Sequence, residues 1–254
     1  MSRATALVRY PGPRLAEGIV THRARRPIDL ELARGQHAAY VSELAAAGWR
    51  VRPLVPADDH PDAVFVEDTV VICGELAVLT RPGAPRRRPE VIGAEKAVRE
   101  LGLELARIKA PGTLDGGDVL QAGGTVYVGR SARSNEEAFC QLARLLGAPG
   151  RRVVSVAVNG CLHLKSAMTA LPDGSLIGLP DRVDTSVLPG LRVAPEPAGA
   201  HVLPLGGNRV LLAASAPRTA ELLAADGYDV TTVDISEFEA LDGCVTCLSV
   251  LIRH

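Results

Sequence analysis

Two cysteines three residues apart, in Cys244-Val-Thr-Cys247, are the first side chains of this chain whose types and spacing allow chemistry. A thiolate is both a nucleophile and a metal ligand. A structural zinc site takes four ligands, and no second Cys-x-x-Cys is present to supply them. A thioredoxin-type pair opens a helix after a strand, whereas the apolar pattern over 245–252 reads as strand. The zinc and redox readings are therefore weaker than two others: small apolar residues on a buried terminal strand, or a nucleophile on that strand. His163, in Gly160-Cys-Leu-His-Leu-Lys165, is a candidate general acid and base, although a lone histidine is as readily structural. Cys161 beside it reads as core.

The acidic residues fall into two groups. Thr113-Leu-Asp115-Gly-Gly-Asp118 packs two carboxylates and two glycines into one strand entry. Asp-Gly-Gly is good turn chemistry, and glycine beside carboxylates also lets a cation approach closely. Asp62, Glu67 and Asp68 surround Phe65-Val66, so burial of at least one acid is expected. A buried carboxylate needs a partner, and this segment holds no cation, so a cationic ligand would satisfy it. Arg87, inside the basic run 86–88, and Arg133, in Ser131-Ala-Arg133-Ser-Asn135, lie in loops after the first two hairpins.

The elements that must position these residues repeat. Apolar runs flank turn residues at 74–75, 123–124, 173–174 and 207–208, so that the first three turns lie 49 and 50 residues apart. Gly-Gly, Asp-Gly and Gly-Asn between apolar runs are strong hairpin signals. The paired runs are 64–66 with 69–73 and 76–80, 118–121 with 125–128, 166–170 with 176–179, and 200–204 with 209–213. Helices are expected over 29–47, 93–101, 134–146 and 217–225, with Ser134 and Glu137 as a capping box and Gly48 and Gly147 as C-cap glycines. Further strands follow at 49–53, 151–156 and 229–233. A period near 50 residues means units that cannot bury their apolar faces alone. Orphan strands at 6–9 and 245–252 would pair and close a ring, removing exposed edges. The expectation is one closed α/β domain over residues 1–254, built from repeated ββαβ modules.

Composition narrows the function classes. The chain has 254 residues, 47% hydrophobic and 22% charged, which excludes disorder. Its net charge of −1, from 28 basic and 29 acidic residues, gives no general attraction to nucleic acid or to an anionic membrane. No apolar run approaches the roughly 20 residues of a membrane span. Five cysteines without a visible export signal suggest reduced thiols and a cytoplasmic protein.

Together the motifs resemble the dimethylarginine dimethylaminohydrolase family, from about Val8 to the C-terminus. The resemblance is carried by Phe65-Val-Glu-Asp68, TLDGGD at 113–118, the run 131–135, LHLK at 162–165 and the ending Asp242-Gly-Cys-Val-Thr-Cys-Leu-Ser-Val-Leu-Ile252. It implies a five-bladed, pseudo-symmetric α/β propeller, the pentein fold. It implies Cys247 as nucleophile, His163 as acid and base, and Asp115 as its partner, with Cys244 an unusual extra. It further implies Asp62, Glu67 and Asp68 around a substrate guanidinium, Arg87 and Arg133 near its α-carboxylate, and backbone contacts from Ile19 and Leu241. The implied partner is a small methylated arginine, hydrolysed to citrulline and an alkylamine with no metal or organic cofactor. A homodimer is compatible with the sequence. The segment 19–27 is a candidate lid.

Three other functions use the same residues. An arginine deiminase would share the chemistry, but such enzymes are typically longer through an added helical region. A non-catalytic propeller binding an amino acid or a protein would not need Cys247, His163 and Asp115 together. A redox protein would use Cys244 with Cys247.

Overall fold

The computed structural model describes residues 4–147 and 151–253. The described residues form five three-stranded sheets of one design, in which an antiparallel pair is extended by a parallel third strand. The first sheet joins the two ends of the chain. Strand β1 (Thr5–Val8) pairs antiparallel with β15 (Val250–Ile252), Thr5 opposite Ile252, and parallel with β2 (Arg50–Pro53). The other four are consecutive: β3 (Val70–Cys73), β4 (Leu76–Leu79) and β5 (Glu104–Arg107); β6 (Val119–Ala122), β7 (Thr125–Arg130) and β8 (Arg152–Ala157); β9 (Met168–Ala170), β10 (Leu176–Gly178) and β11 (Arg192–Val193); β12 (Leu203–Gly206), β13 (Arg209–Ala213) and β14 (Asp229–Val233).

A parallel pairing needs a crossover. Helices α1 (Leu30–Ala46), α2 (Val91–Glu100), α3 (Glu136–Leu146) and α4 (Pro217–Ala225) make four of the five, and short 3-10 turns replace the helix between β10 and β11. A further short helix, α5 (Ser236–Glu239), precedes the C-terminal segment. The hairpin turns follow their glycines. Gly123 and Gly124, at φ of 53° and 79°, both adopt the left-handed conformation that a tight turn between β6 and β7 requires. Residues of β3, β6, β9, β12 and β15, one strand from each sheet, line a central cavity of about 360 Å³. No described helix is long and apolar enough to cross a membrane.

Several sequence expectations shift. Residues 64–66 do not form a strand; they lead into a buried 3-10 turn, Val66–Thr69, that carries the acids. The terminal strand is confined to Val250–Ile252, and 245–248 form a buried turn instead. The basic run lies in a 3-10 helix, Pro85–Glu90, rather than a loop. Asn135, not Ser134, caps α3 by accepting from the Ala138 N–H at 3.0 Å, because the Ser134 hydroxyl is committed to Asp118. Gly147 has a φ of −72° and is no left-handed cap, whereas Gly48, at +91°, follows α1 as expected.

Candidate functional site

The turn carrying Cys247 is fixed from three sides. Its N–H donates to Cys244 O at 3.1 Å, and its carbonyl accepts from the Glu67 N–H at 3.2 Å, which stitches the acidic turn to it. From α1, the fully buried Tyr40 hydroxyl donates to Val245 O at 2.9 Å and meets Ser249 Oγ at 2.7 Å.

The TLDGGD segment uses each polar residue differently. Asp115 Oδ2 lies 3.0 Å from His163 Nε2, while its Oδ1 accepts from the Gly83 N–H at 2.8 Å. The Gly117 N–H donates to Asp68 Oδ1 at 3.0 Å. Asp118 accepts from the Leu164 N–H at 2.9 Å and from the hydroxyls of Ser131 and Ser134, each at 2.6 Å. His163 is thereby held at both its ring and its backbone neighbour. Side chains at either glycine would collide: a Cβ on Gly116 would sit 2.0 Å from Glu67 O, and one on Gly117 would sit 2.6 Å from His163 Nδ1.

Charge dictates the protonation of this centre. Burial disfavours a charged imidazole, but the Asp68 carboxylate, the Asp115 hydrogen bond and Asp118 outweigh it and push His163 up to about 9. Against its own burial, Asp68 is held down to about 2 by His163, by Arg87 and by the Gly117 N–H. The hydrogen bond with Cys244, burial, and the carboxylates of Glu67 and Asp68 hold the Cys247 thiol well above its ordinary value. Asp68, Asp115 and His163 each offer one ligand atom within 4.8 Å of the others, and the cations balancing these carboxylates belong to the chain: Arg87 and the imidazolium.

Eight of the ten residues singled out from the sequence converge on one cavity of about 20 Å³: Cys247, His163, Asp62, Asp68, Arg87, Arg133, Ile19 and Leu241. Asp115 is fully buried behind His163. The Glu67 side chain departs from expectation. It faces the central cavity, where Oε1 accepts from Lys165 Nζ at 2.6 Å and Oε2 from the Thr246 hydroxyl at 3.0 Å.

The acids have cations from elsewhere in the chain, so a ligand is not needed to neutralise them. Arg87 donates to Asp68 Oδ2 at 2.5 Å, to Glu90, and to the carbonyls of Asp62 and Phe65. It is 4% exposed and commits its donors within the protein while still lining the cavity. Arg86 pairs with Asp62 at 3.0 Å. Arg133 is less committed, at 3.8 Å from Asp115 and 3.5 Å from Thr21 Oγ1.

Leu162, Phe65, Asp242 and Gly243 complete the cavity and were not singled out from the sequence. Asp242 carried one signal, its place before glycine in a turn. At a φ of 59°, its carboxylate accepts from the N–H groups of Thr21 and His22 at 2.6 and 2.9 Å, holding the exposed segment 21–27 beside the site.

Comparisons with known proteins bear on this geometry. No family model matches the chain. It is 54% identical over 255 residues to the N(G),N(G)-dimethylarginine dimethylaminohydrolase of Streptomyces coelicolor, covering 100% of this chain and 99% of that protein. It is 33% identical over 250 residues to the Pseudomonas aeruginosa protein of the same name, covering 96% and 97%. A structure of a cysteine-to-serine mutant of the Pseudomonas aeruginosa enzyme complexed with citrulline superposes with a TM-score of 0.90 at 32% identity, over 99% of this chain and 100% of that one. The N-terminal domain of ArgZ, an arginine dihydrolase, shares the fold at a TM-score of 0.83 and 20% identity. End-to-end identity above one half, joined to a cysteine, a histidine–aspartate pair and buried carboxylates around one cavity, places this chain in the dimethylarginine dimethylaminohydrolase family.

Proposed function

We propose that the chain hydrolyses Nω-methylated arginine, dimethylarginine above all, to citrulline and dimethylamine through a covalent adduct on Cys247. The observation that carries this is the meeting of Cys247 with an imidazolium and the buried carboxylates of Asp62 and Asp68 in one cavity. Carboxylates there suit a delocalised cation, which they orient by charge-assisted hydrogen bonds. The substrate's charge offsets that of the carboxylates that keep the Cys247 thiol protonated, so binding favours the thiolate. The thiolate attacks the guanidinium carbon. His163 gives its proton to the departing nitrogen, and dimethylamine leaves. Water then attacks the thiouronium adduct; one of its protons passes to His163 and the other to the departing sulfur.

Arg133 and Arg87, which line the same cavity, supply positive charge for the α-carboxylate, and Ile19 and Leu241 border the amino-acid end. The cavity of about 20 Å³ is narrow for an arginine side chain, and opening of the segment 19–27, whose Ile19 lines it, would widen the entrance for substrate. The five sheets and their shared central cavity support a five-bladed propeller closed as a single domain.

Incubation with asymmetric dimethylarginine, and separately with arginine, tests the reading by quantifying citrulline, dimethylamine and ammonia. Citrulline with dimethylamine from the methylated substrate is expected, and Cys247→Ser should abolish it while leaving the fold intact. Ammonia from arginine alone would make the chain a deiminase. Silence on both substrates would refute the hydrolase.

A further inference from the structure

Attack by Cys247 requires its thiol proton to leave, and at neutral pH His163 is already an imidazolium. Its ring nitrogens face Asp115 and Asp68, and no hydrogen bond joins it to Cys247 among the described residues. The Cys247 sulfur instead lies 3.3 Å from the Cys244 sulfur. Cys244 Sγ lies 3.3 Å from Thr246 Oγ1, and that hydroxyl donates to Glu67 Oε2 at 3.0 Å. A carboxylate can only accept, so the Thr246 proton points to Glu67, which leaves the hydroxyl lone pairs for an S–H on Cys244. The Cys247 hydrogen bond and His201 hold that thiol well below its ordinary value, ready to give its proton up. The Cys244 sulfur is then free to accept from Cys247.

This row crosses a wall. Cys247 lines the substrate cavity, whereas Thr246, Glu67 and Lys165 line the central cavity of about 360 Å³, which reaches the surface at exposed Gly74 and Gln121. We propose that Cys247, Cys244, Thr246 and Glu67 form a proton relay from the nucleophile to the central cavity, with Cys244 its obligatory link. The inference rests on the hydrolase reading above.

In one step the Cys247 proton passes to Cys244 Sγ, the Cys244 proton to Thr246 Oγ1 and the Thr246 proton to Glu67 Oε2. Cys247 is left as a thiolate and Glu67 as a neutral acid, which releases its proton to solvent in the central cavity. Because hydrolysis returns a proton to the sulfur from water, the centre is restored, and the released proton matches the one dimethylamine takes up in solution. Burial and the neighbouring Cys244 and Asp68 raise Glu67 against the opposing pull of Lys165, which suits a group that must be protonated once per turnover. The other groups facing the row are the Tyr40 hydroxyl from α1, Asp68 from the 3-10 turn and His201 from the segment before β12.

The test is the rate of covalent adduct formation in single turnovers with dimethylarginine, measured against pH and deuterium fraction. It compares the unmodified chain with Cys244→Ala, Cys244→Ser and Thr246→Val. Cys244→Ala and Thr246→Val should each lose about tenfold or more at neutral pH and gain on the unmodified chain as pH rises toward about 9, where His163 still carries its proton and hydroxide takes the thiol proton directly. Cys244→Ser keeps a donor and an acceptor and should stay within about threefold. The unmodified chain should show a curved dependence on deuterium fraction, since several protons move together, and Cys244→Ala a linear one. Should Cys244→Ala fail to fold, Thr246→Val carries the same test without changing the sulfur pair. Unmodified rates and isotope dependence in Cys244→Ala or Thr246→Val, or a Cys244→Ser as slow as Cys244→Ala, would overturn the relay. Absence of citrulline from the unmodified chain would instead remove the hydrolase reading itself.

Discussion

Gly117 lies beneath the imidazole, and replacing it by alanine tests whether the position of that ring sets the rate. The added Cβ would sit 2.6 Å from His163 Nδ1, 2.9 Å from Cγ and 2.9 Å from Asp68 Oδ1. Ordinary contact begins at 3.4 Å, so the ring or the backbone must yield by about 0.8 Å. The ring has little freedom to do so, because Asp115 holds Nε2 and is itself held by the Gly83 N–H, while Asp118 holds Leu164. Overpacking of this kind costs about 1–3 kcal/mol of stability, whereas a displacement near 1 Å at a catalytic centre costs about 100-fold in rate. Gly117→Ala should therefore lose about 100-fold in kcat while its melting temperature falls by only about 2–4 °C per kcal/mol lost. Steady-state citrulline formation and thermal unfolding measure the two quantities. Gly35 provides the control: it lies within α1 with nothing within 4 Å of an added Cβ. Gly35→Ala should stabilise by about 0.5–1 kcal/mol with kcat unchanged. A Gly117→Ala variant with kcat within about threefold of the unmodified chain would refute the argument that the ring must stay at this position.

Two further outcomes follow from the charge arrangement. Arg87→Ala leaves Asp68 and Glu90 buried without their shared cation and should destabilise by about 3–5 kcal/mol in denaturant unfolding; unchanged stability would mean that those acids are neutralised some other way. His163, pushed up to about 9 from an ordinary 6.5, has a raised folded-state value, so its stabilising contribution is full below 6.5 and is lost as pH rises through about 9. The imidazolium needed to protonate the leaving amine disappears over the same range, and kcat should fall above about pH 9; an NMR titration of His163 with a midpoint near 6.5 would contradict both.

What was legible in the sequence is what is local. The hairpin turns declare themselves through glycines between apolar runs, and TLDGGD declares a tight carboxylate turn because its residues act within a few positions of one another. Outer strands such as β5, with the burial pattern exposed, half-buried, half-buried, exposed, lack the apolar run that would announce them. The turn at 245–248 fails for the opposite reason: it is fully buried, and a buried apolar run does not by itself distinguish strand from turn. Ser134 has the residue type of a helix cap, yet a buried carboxylate 16 residues upstream claims its hydroxyl.

Pairings between separate segments are the least legible, because composition carries no record of which buried charges will meet. Lys165 and Glu67 are 98 positions apart, Thr246 and Glu67 179, and Arg87 and Asp68 19. The acids of 62–68 look unneutralised in sequence because their cations come from other segments. Those pairings sort the acids into roles that their order in the chain conceals. Asp68, clamped by Arg87 and Gly117, is kept ionised beside His163 at the substrate cavity. Glu67, one residue earlier, turns to the opposite cavity, and its negative charge is shared between a lysine and a threonine. Adjacent positions in a 3-10 turn project differently, so two neighbouring carboxylates serve opposite sides of one wall.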